Sequence, residues 1–291
     1  MNILSFDIEE WYIEQQLRGC TERFAEFDRY LERILDLLDE RGIKASFFCV
    51  GKMGVHFPSV IKRIQVRGHE IGCHSNTHTW LNKMTESECR EDTRMAIDSL
   101  EQCIGVKVKS YRAPSFSICE SNKWAFEVLA ENGIERDASV FPAARDLGGF
   151  KSFGTAKPCV VEYKGIKLKE FPVSISNILG KEMAYSGGGY FRLLPYMVVN
   201  ALLTKTDYTM CYFHINDLLP DNIGLKSRKD YEAYYKKPGT FKNRYLMYIK
   251  TNLGKKSAFI KLEKFIKNSS FVNLDQAEEM ISWNNAPVIV L

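Results

Sequence analysis

The acidic stretch FDIEEWY, residues 6–12, sets Asp7, Glu9 and Glu10 beside two aromatic rings, directly after the apolar run NILS. Side chains two apart on a strand point the same way, so a strand through NILSFDI places Asp7 and Glu9 on the face opposite Ile8. Two of the five histidines, His74 and His78, lie in HSNTH, where a helical turn would present both imidazoles on one face. One carboxylate and two imidazoles make a three-ligand set with open coordination positions, as in catalytic metal centres, and the other carboxylate is left to work on water. The same residues also fit a plainer role as polar groups at strand ends. Arg112, beside the proline turn of YRAPSFS, reads as an ion-pair partner or a site residue, and His214, closing the apolar strand of YFHIND, as a structural imidazole or a proton donor.

The pattern around these residues alternates between strand and helix. Apolar residues from Phe24 to Leu38 recur at three and four, which predicts a helix over 21–41 closed by Gly42. KASFFCVG reads as a strand, PSVIKRIQVRG as a helix opened by Pro58, and HEIGCH as a strand. Thr85 and Glu88 have capping-box spacing before a helix reaching about Ile104. KSYRAP, KLKEFPV and YTMCYFH complete the strands, with helices near 121–132 and around YMVVNALL. Repeated strand–helix–strand units without a break in composition predict an α/β chain, a single barrel domain over 1–291 with its active site at the carboxyl ends of the strands. Residues 141–165 read as a long loop or a small hairpin, and the tail beyond about 221 as a lysine-rich part packed on the barrel through FIKLEKFIKN.

Composition narrows the class. Lys and Arg exceed Asp and Glu by only 40 to 36, too weak a balance to argue for a nucleic-acid partner. No apolar run approaches the roughly 18 residues that span a bilayer, and acidic residues stand where a secretory leader would be basic and apolar, so the expected location is cytoplasmic. The eight cysteines are scattered without a C-x-x-C pair, which argues against a disulfide framework.

Taken in order, SFDIEEW, HSNTH, RAPSFS, ERDASVFP and YFHIND resemble the five motifs of the polysaccharide deacetylases, the carbohydrate esterases that share the nodulation-factor deacetylase homology domain. SGGGYFRLLPY and EFPVS are similar to a branch found near exopolysaccharide gene clusters, and the likeness is firm over 1–220 and looser beyond. The resemblance implies a distorted (β/α) barrel, TIM-barrel-like with about seven parallel strands, that removes acetyl from an N-acetylated saccharide or sugar precursor with one divalent metal, usually Zn2+. It implies that Asp7 is the base, His214 the acid, Arg112 the residue orienting the base with Asp137 holding Arg112, and His74 and His78 metal ligands. Many members have a second aspartate directly after the first, whereas this chain has Ile8 there; Glu9 is the expected third ligand and Glu10 the fallback. Trp11, Tyr12, Phe116 and Tyr190 are candidate stacking surfaces for sugar, and the turn at Ser115 and Phe116 a source of an oxyanion-binding N–H. Glycines 187–189 suit a close backbone approach or a sharp turn. A metal-free amide hydrolase on the same barrel and a non-catalytic carbohydrate-binding protein are the alternatives.

Overall fold

A computed structural model describes residues 1–145, 148–178, 180–221, 224–235 and 237–291. The chain opens with β1 (Asn2–Ile8), which passes through Glu9 into α1 (Glu10–Arg18) and α2 (Phe24–Glu40). Next come β2 (Ser46–Cys49), α3 (Gly51–His56), α4 (Pro58–Val66), β3 (Glu70–Cys73), α5 (Glu86–Ile104), β4 (Ser110–Tyr111), α6 (Ala125–Glu131) and β5 (Arg136–Asp137). Two hairpins follow, β6 (Cys159–Tyr163) with β7 (Ile166–Glu170) and β8 (Ile175–Ile178) with β9 (Lys181–Ala184). After them lie α7 (Gly188–Leu193), α8 (Tyr196–Lys205), β10 (Thr209–His214) and α9 (Ile215–Leu218). The last part contributes α10 (Arg228–Tyr235), α11 (Phe241–Asn252), α12 (Lys255–Asn268), α13 (Leu274–Met280) and β11 (Val288–Val290).

Seven strands pair in parallel in the order β10, β1, β2, β3, β4, β5, β7, as expected for the barrel; antiparallel β6 and then β11 extend the far edge. The central strands are apolar because helices cover one side and the barrel interior the other, and β1 is buried from Ile3 to Ile8. Helix α2 buries Phe27, Leu31, Ile34, Leu35 and Leu38 at helical spacing, each worth about 1.5–3 kcal/mol against exposure. Closure is irregular. The outer edge of β10 meets the segment after β7 through single contacts, Met210 N–H to Ser174 Oγ at 2.8 Å and Tyr208 Oη to the Pro172 carbonyl at 2.7 Å. Tyr212 N–H then reaches the Ser186 carbonyl at 3.3 Å. The barrel is distorted at this seam.

At the amino ends of the strands, Glu70 accepts from the Ser46 hydroxyl at 2.5 Å and from the Leu274 N–H at 3.1 Å. Arg136 lies beside Glu70 at 3.2 Å, and pairs with Asp275 at 2.9 Å and with Glu278. This network fastens α13 across the end of the barrel opposite to the candidate site. The segment read as loop or hairpin resolves into an irregular stretch followed by the β6–β7 hairpin, and positions 146 and 147 within it lie outside the described residues.

Candidate active site

The residues marked out in the sequence meet at the carboxyl ends of the parallel strands. Asp7 and His214 are register partners on the neighbouring strands β1 and β10, which sets base and acid candidates side by side. Glu9 follows β1 and precedes the first turn of α1, so its side chain stays on the Asp7 side. His74 follows β3, and Arg112 follows β4.

Glu9, His74 and His78 offer ligand atoms that all lie within 4.8 Å of one another. Glu9 Oε2 stands 2.5 Å from His78 Nε2 and 3.5 Å from His74 Nε2. His74 Nδ1 donates to the Arg112 carbonyl at 2.7 Å, which leaves the Nε2 lone pair facing the cluster. That Nε2 and Glu9 Oε2 are buried with no hydrogen-bond acceptor or donor among the described residues. Buried polar atoms are costly when unsatisfied, and two converging with a second imidazole are the donor set of a divalent cation. Ligands of one tetrahedral zinc sit roughly 3.4 Å apart, so Glu9 and His78 need to part by about 1 Å to hold it. Glu10 is not part of this cluster: its carboxylate accepts from the Asn216 N–H at 2.9 Å, and burial and Glu9 push its pKa to about 7. Burial also opposes the Glu9 charge, but His78, His214 and the neighbouring His74 outweigh it and hold the carboxyl well below its ordinary value.

The loop between the histidines is not the helical turn that their spacing suggested. Ser75 and His78 have φ of 59° each, a left-handed conformation that ends any helix. Asp92 on α5 holds the loop by accepting from the Asn76 N–H at 2.8 Å, and the Gly51 N–H reaches the Ser75 carbonyl at 2.8 Å. A Cβ on Gly51 would meet Ala96 Cα at 2.5 Å, so only glycine lets the loop pack there. Ser115 and Phe116 are also left-handed, at φ 55° and 53°, and this strained turn forms the opposite lip.

Arg112 is fully buried and donates to Asp7 Oδ1 at 2.8 Å and, through Nε, to the Ala138 carbonyl at 3.3 Å. Its guanidinium lies 4.1 Å from the centre of the Phe48 ring. Asp137 does not hold Arg112, contrary to expectation. The Asp137 carboxyl accepts from Ser139 Oγ and shares a hydrogen bond with Glu170, and Ser139 in turn accepts from the Ala113 N–H at 2.7 Å. It therefore braces the backbone after Arg112 rather than the guanidinium.

His214 Nε2 is 3.7 Å from Asp7 Oδ2 and 3.9 Å from Glu9 Oε1, and Nδ1 lies 3.1 Å from Asp217 Oδ2. Burial pulls the imidazole pKa down, but Glu9, Asp217 and Asp7 together raise it well above its ordinary value. Asp217, which sequence reading missed, has a pKa lowered on balance: burial opposes its charge, and His214 and Arg192 favour it. Arg192 Nε lies 3.1 Å from Asp217 Oδ1, and the Arg192 fork also donates to the Thr251 and Lys250 carbonyls at the end of α11. Only the three-residue spacing in HIND hinted at Asp217; nothing local announced Arg192.

An open cleft of about 460 Å³ joins Asp7, Glu9, His78 and His214 to Ser115, Phe116 and Tyr190. Trp11 is not part of it. It is 1% exposed and packs edge-on against Phe27 at 5.4 Å, because α1 starts at Glu10 and turns that ring into the core. Tyr12 packs against the same core. The Phe116 N–H is spent on the Ala113 carbonyl, so the Ser115 N–H is the turn amide left for a ligand. Gly187 approaches β10 so closely that a Cβ would lie 2.4 Å from the Tyr212 carbonyl oxygen, and that packing explains the first glycine of the run.

A parallel barrel gathers Glu9, His74 and His78, whose donor atoms could hold one cation, beside a buried aspartate, Asp7, and a histidine, His214. Residues 21–135 match the polysaccharide deacetylase family and residues 138–278 a domain of unknown function, DUF3473. The border between the two matches falls at β5, and the sheet continues across it. A peptidoglycan-N-acetylglucosamine deacetylase of Bacillus cereus is 36% identical over 99 residues, 34% of this chain and 36% of that protein. A chitooligosaccharide deacetylase of Bradyrhizobium is 29% identical over 98 residues, 33% of this chain and 42% of that protein. The chain thus spans well under half the length of these relatives. A solved structure from Mycobacterium smegmatis, described as a candidate polysaccharide deacetylase, shares the fold with a TM-score of 0.64 at 17% identity, over 100% of this chain and 92% of that one.

Proposed function

We propose that the protein hydrolyses the acetamide of an N-acetylated sugar, in a saccharide or glycan precursor, with one divalent cation, Zn2+ by the chemistry of the ligands. The observation that carries this reading is the pair of buried, unsatisfied atoms, Glu9 Oε2 and His74 Nε2, converging with His78 in the cleft that also holds Asp7 and His214. Bound at Glu9, His74 and His78, the cation supplies Lewis acidity toward water and the acetamide carbonyl. Asp7, oriented by the hydrogen bond from Arg112, takes the proton of the attacking water through Oδ2. The Ser115 N–H is placed to bind the developing oxyanion. His214, held by Asp217 through Nδ1, gives its Nε2 proton to the departing amine, which is otherwise a poor leaving group.

All eight cysteines carry free thiols, five of them buried, which supports a reducing compartment and hence a cytoplasmic precursor as substrate. Acetate release confined to polymeric wall glycan would refute the precursor reading. The central test measures metal content and acetate release from N-acetylated oligosaccharides for the native chain, a chelated sample, Asp7→Asn and His214→Gln. About one equivalent of metal, with turnover lost on chelation and reduced roughly 10²–10⁴-fold in each variant, is expected. Turnover that survives chelation points instead to the metal-free hydrolase, and glycan binding without turnover to a binding protein.

A further inference from the structure

Helix α11 turns its more apolar face to solvent. Arg244, Met247, Tyr248 and Thr251, at helical spacing, face inward and line a cavity beside α10. The opposite face carries Phe241, Tyr245, Leu246 and Ile249, continued by Leu253 just past the helix, and all of these are exposed, Phe241 by 66% and Leu253 by 54%. The Phe241 and Tyr245 rings stack along it, 5.8 Å apart. No residue of α11 is buried, so the fold gains little from these side chains where they stand. Apolar groups scattered singly over a surface are ordinary, but a row along one helix marks a surface that meets something.

The charge around the row identifies the occupant. Residues 226–267, from just before α10 to the last turn of α12, carry thirteen Lys and Arg against three Asp and Glu, although the whole chain balances at 40 to 36. Arg228 and Lys267 pair with Glu232 and Glu263, and Lys255 with Asp221, which leaves the excess on the remaining cations. Two of these, Lys242 and Lys250, are exposed on the apolar face itself. An apolar row flanked by lysines fits a bilayer with anionic headgroups: the rings and aliphatic groups enter the boundary between headgroups and acyl chains, and the lysine stems carry their charges to the phosphates. A second copy of the chain fits less well, because a two-fold contact would set this positive face against itself.

The face also borders the catalytic cleft. Lys250 and Leu193, the latter exposed by 48%, line that cleft together, and Arg192 ties the end of α11 to Asp217. We infer that α11 docks on an anionic lipid surface and so brings the cleft to a sugar carried by a lipid in that surface. The docking stands on the helix and its charge, whereas the lipid-carried sugar rests on the deacetylase reading. The inference gives the exposed face of α11, in a part of the chain matched by the domain of unknown function, a role in choosing the substrate.

The test is co-sedimentation of the full chain with vesicles of phosphatidylcholine, alone or with about one-third phosphatidylglycerol. The charged vesicles should bind about tenfold or more tightly than the neutral ones, and added salt should narrow that ratio. The double variant Phe241→Ser, Leu246→Ser should lower binding about tenfold and Lys242→Gln about fivefold, each with a native unfolding transition. Equal binding to both vesicles, binding to neither, or binding that survives the double substitution overturns the proposal. A dimer of the native chain that the double substitution dissolves does the same, and would make the face an interface between copies. Docked protein that releases acetate from a soluble N-acetylated oligosaccharide but not from a lipid-linked N-acetylglucosamine in the vesicle would overturn the lipid-carried substrate. Docking without acetate release from either would sink the deacetylase reading and leave the docking standing, and release without docking would do the reverse.

Discussion

Asp217→Asn should move the basic limb of the activity profile to lower pH. In the native chain Asp217 Oδ2 stands 3.1 Å from His214 Nδ1. Two unit charges at that distance attract by about 5 kcal/mol at an effective dielectric constant of about 20. The mouth of the cleft is partly wet, and charge-assisted hydrogen bonds measure about 1.5–3 kcal/mol in proteins. Losing the carboxylate should therefore lower the His214 pKa, because Asp217 is one of the groups that raise it. The sign follows from the role. As a general acid His214 works protonated, and its raised pKa keeps it so at neutral pH, so activity is present below that pKa and lost above it. A cation on Glu9 cancels much of the Glu9 push, which leaves Asp217 the dominant partner. The assay is kcat/KM for acetate release between pH 6 and pH 10, with metal content and unfolding midpoint as controls. A basic limb that stays in place, in a variant with native fold and metal, would refute the assignment of His214 as the acid.

Glu9→Gln should bind zinc at least about 10²-fold more weakly while still folding, because a carboxamide replaces the one anionic ligand; a competition titration reads this, and unchanged affinity would exclude Glu9 as a ligand. Burial pushes the Asp137 carboxyl up to about 6, and burial together with Asp137 raises Glu170 further above its ordinary value. Both are raised, so the folded pair keeps protons that the unfolded chain releases near pH 4–4.5, and stability falls as pH climbs from there through about 6 and beyond. Glu170→Gln, neutral throughout, should flatten that fall in urea midpoints between pH 5 and pH 8, and an unchanged slope would show that the pair is not protonated. Arg136→Met, at the far end of the barrel, leaves Glu70 and Glu278 without their buried cation and should cost about 3–5 kcal/mol in stability; a loss under about 1 kcal/mol would mean that the network does not hold α13.

The strand–helix order and six residues of the candidate site were legible because they sit at or just past strand ends, where an apolar run stops abruptly at an acid, an arginine or a histidine. β1, β3, β4 and β10 all announce themselves this way. The misreadings have a common cause: each needed to know where a local geometry changes. Trp11 looked like a neighbour of Asp7, but a helix turns successive side chains by about 100°, so three residues past the strand end it faces Phe27. HSNTH looked helical by spacing, yet the close fit of Gly51 against Ala96 and the grip of Asp92 on Asn76 make it a left-handed loop. The resemblance made Asp137 the partner of Arg112, but its carboxyl meets Glu170 on the next strand and shares a hydrogen bond with it.

Arg192 explains why the later part of the chain is built into the chemistry rather than appended to it. Its side chain is nearly buried, and its three nitrogens meet the Asp217 carboxylate on one side and the carbonyls at the end of α11 on the other. Those carbonyls are the negative end of a helix dipole, so they and Asp217 share one guanidinium, and the position of α11 is tied to the angle of His214. α11 in turn carries Arg244 and Tyr248 to the wall of a further cavity that also borders Glu9. The region matched by the deacetylase family therefore contributes His74, His78 and Arg112 to the candidate site, while the region after it contributes His214, Asp217 and Arg192. Asp7 on β1 and His214 on β10 come together only when the sheet closes around both regions, and the irregular seam beside β10 is where that closure is made.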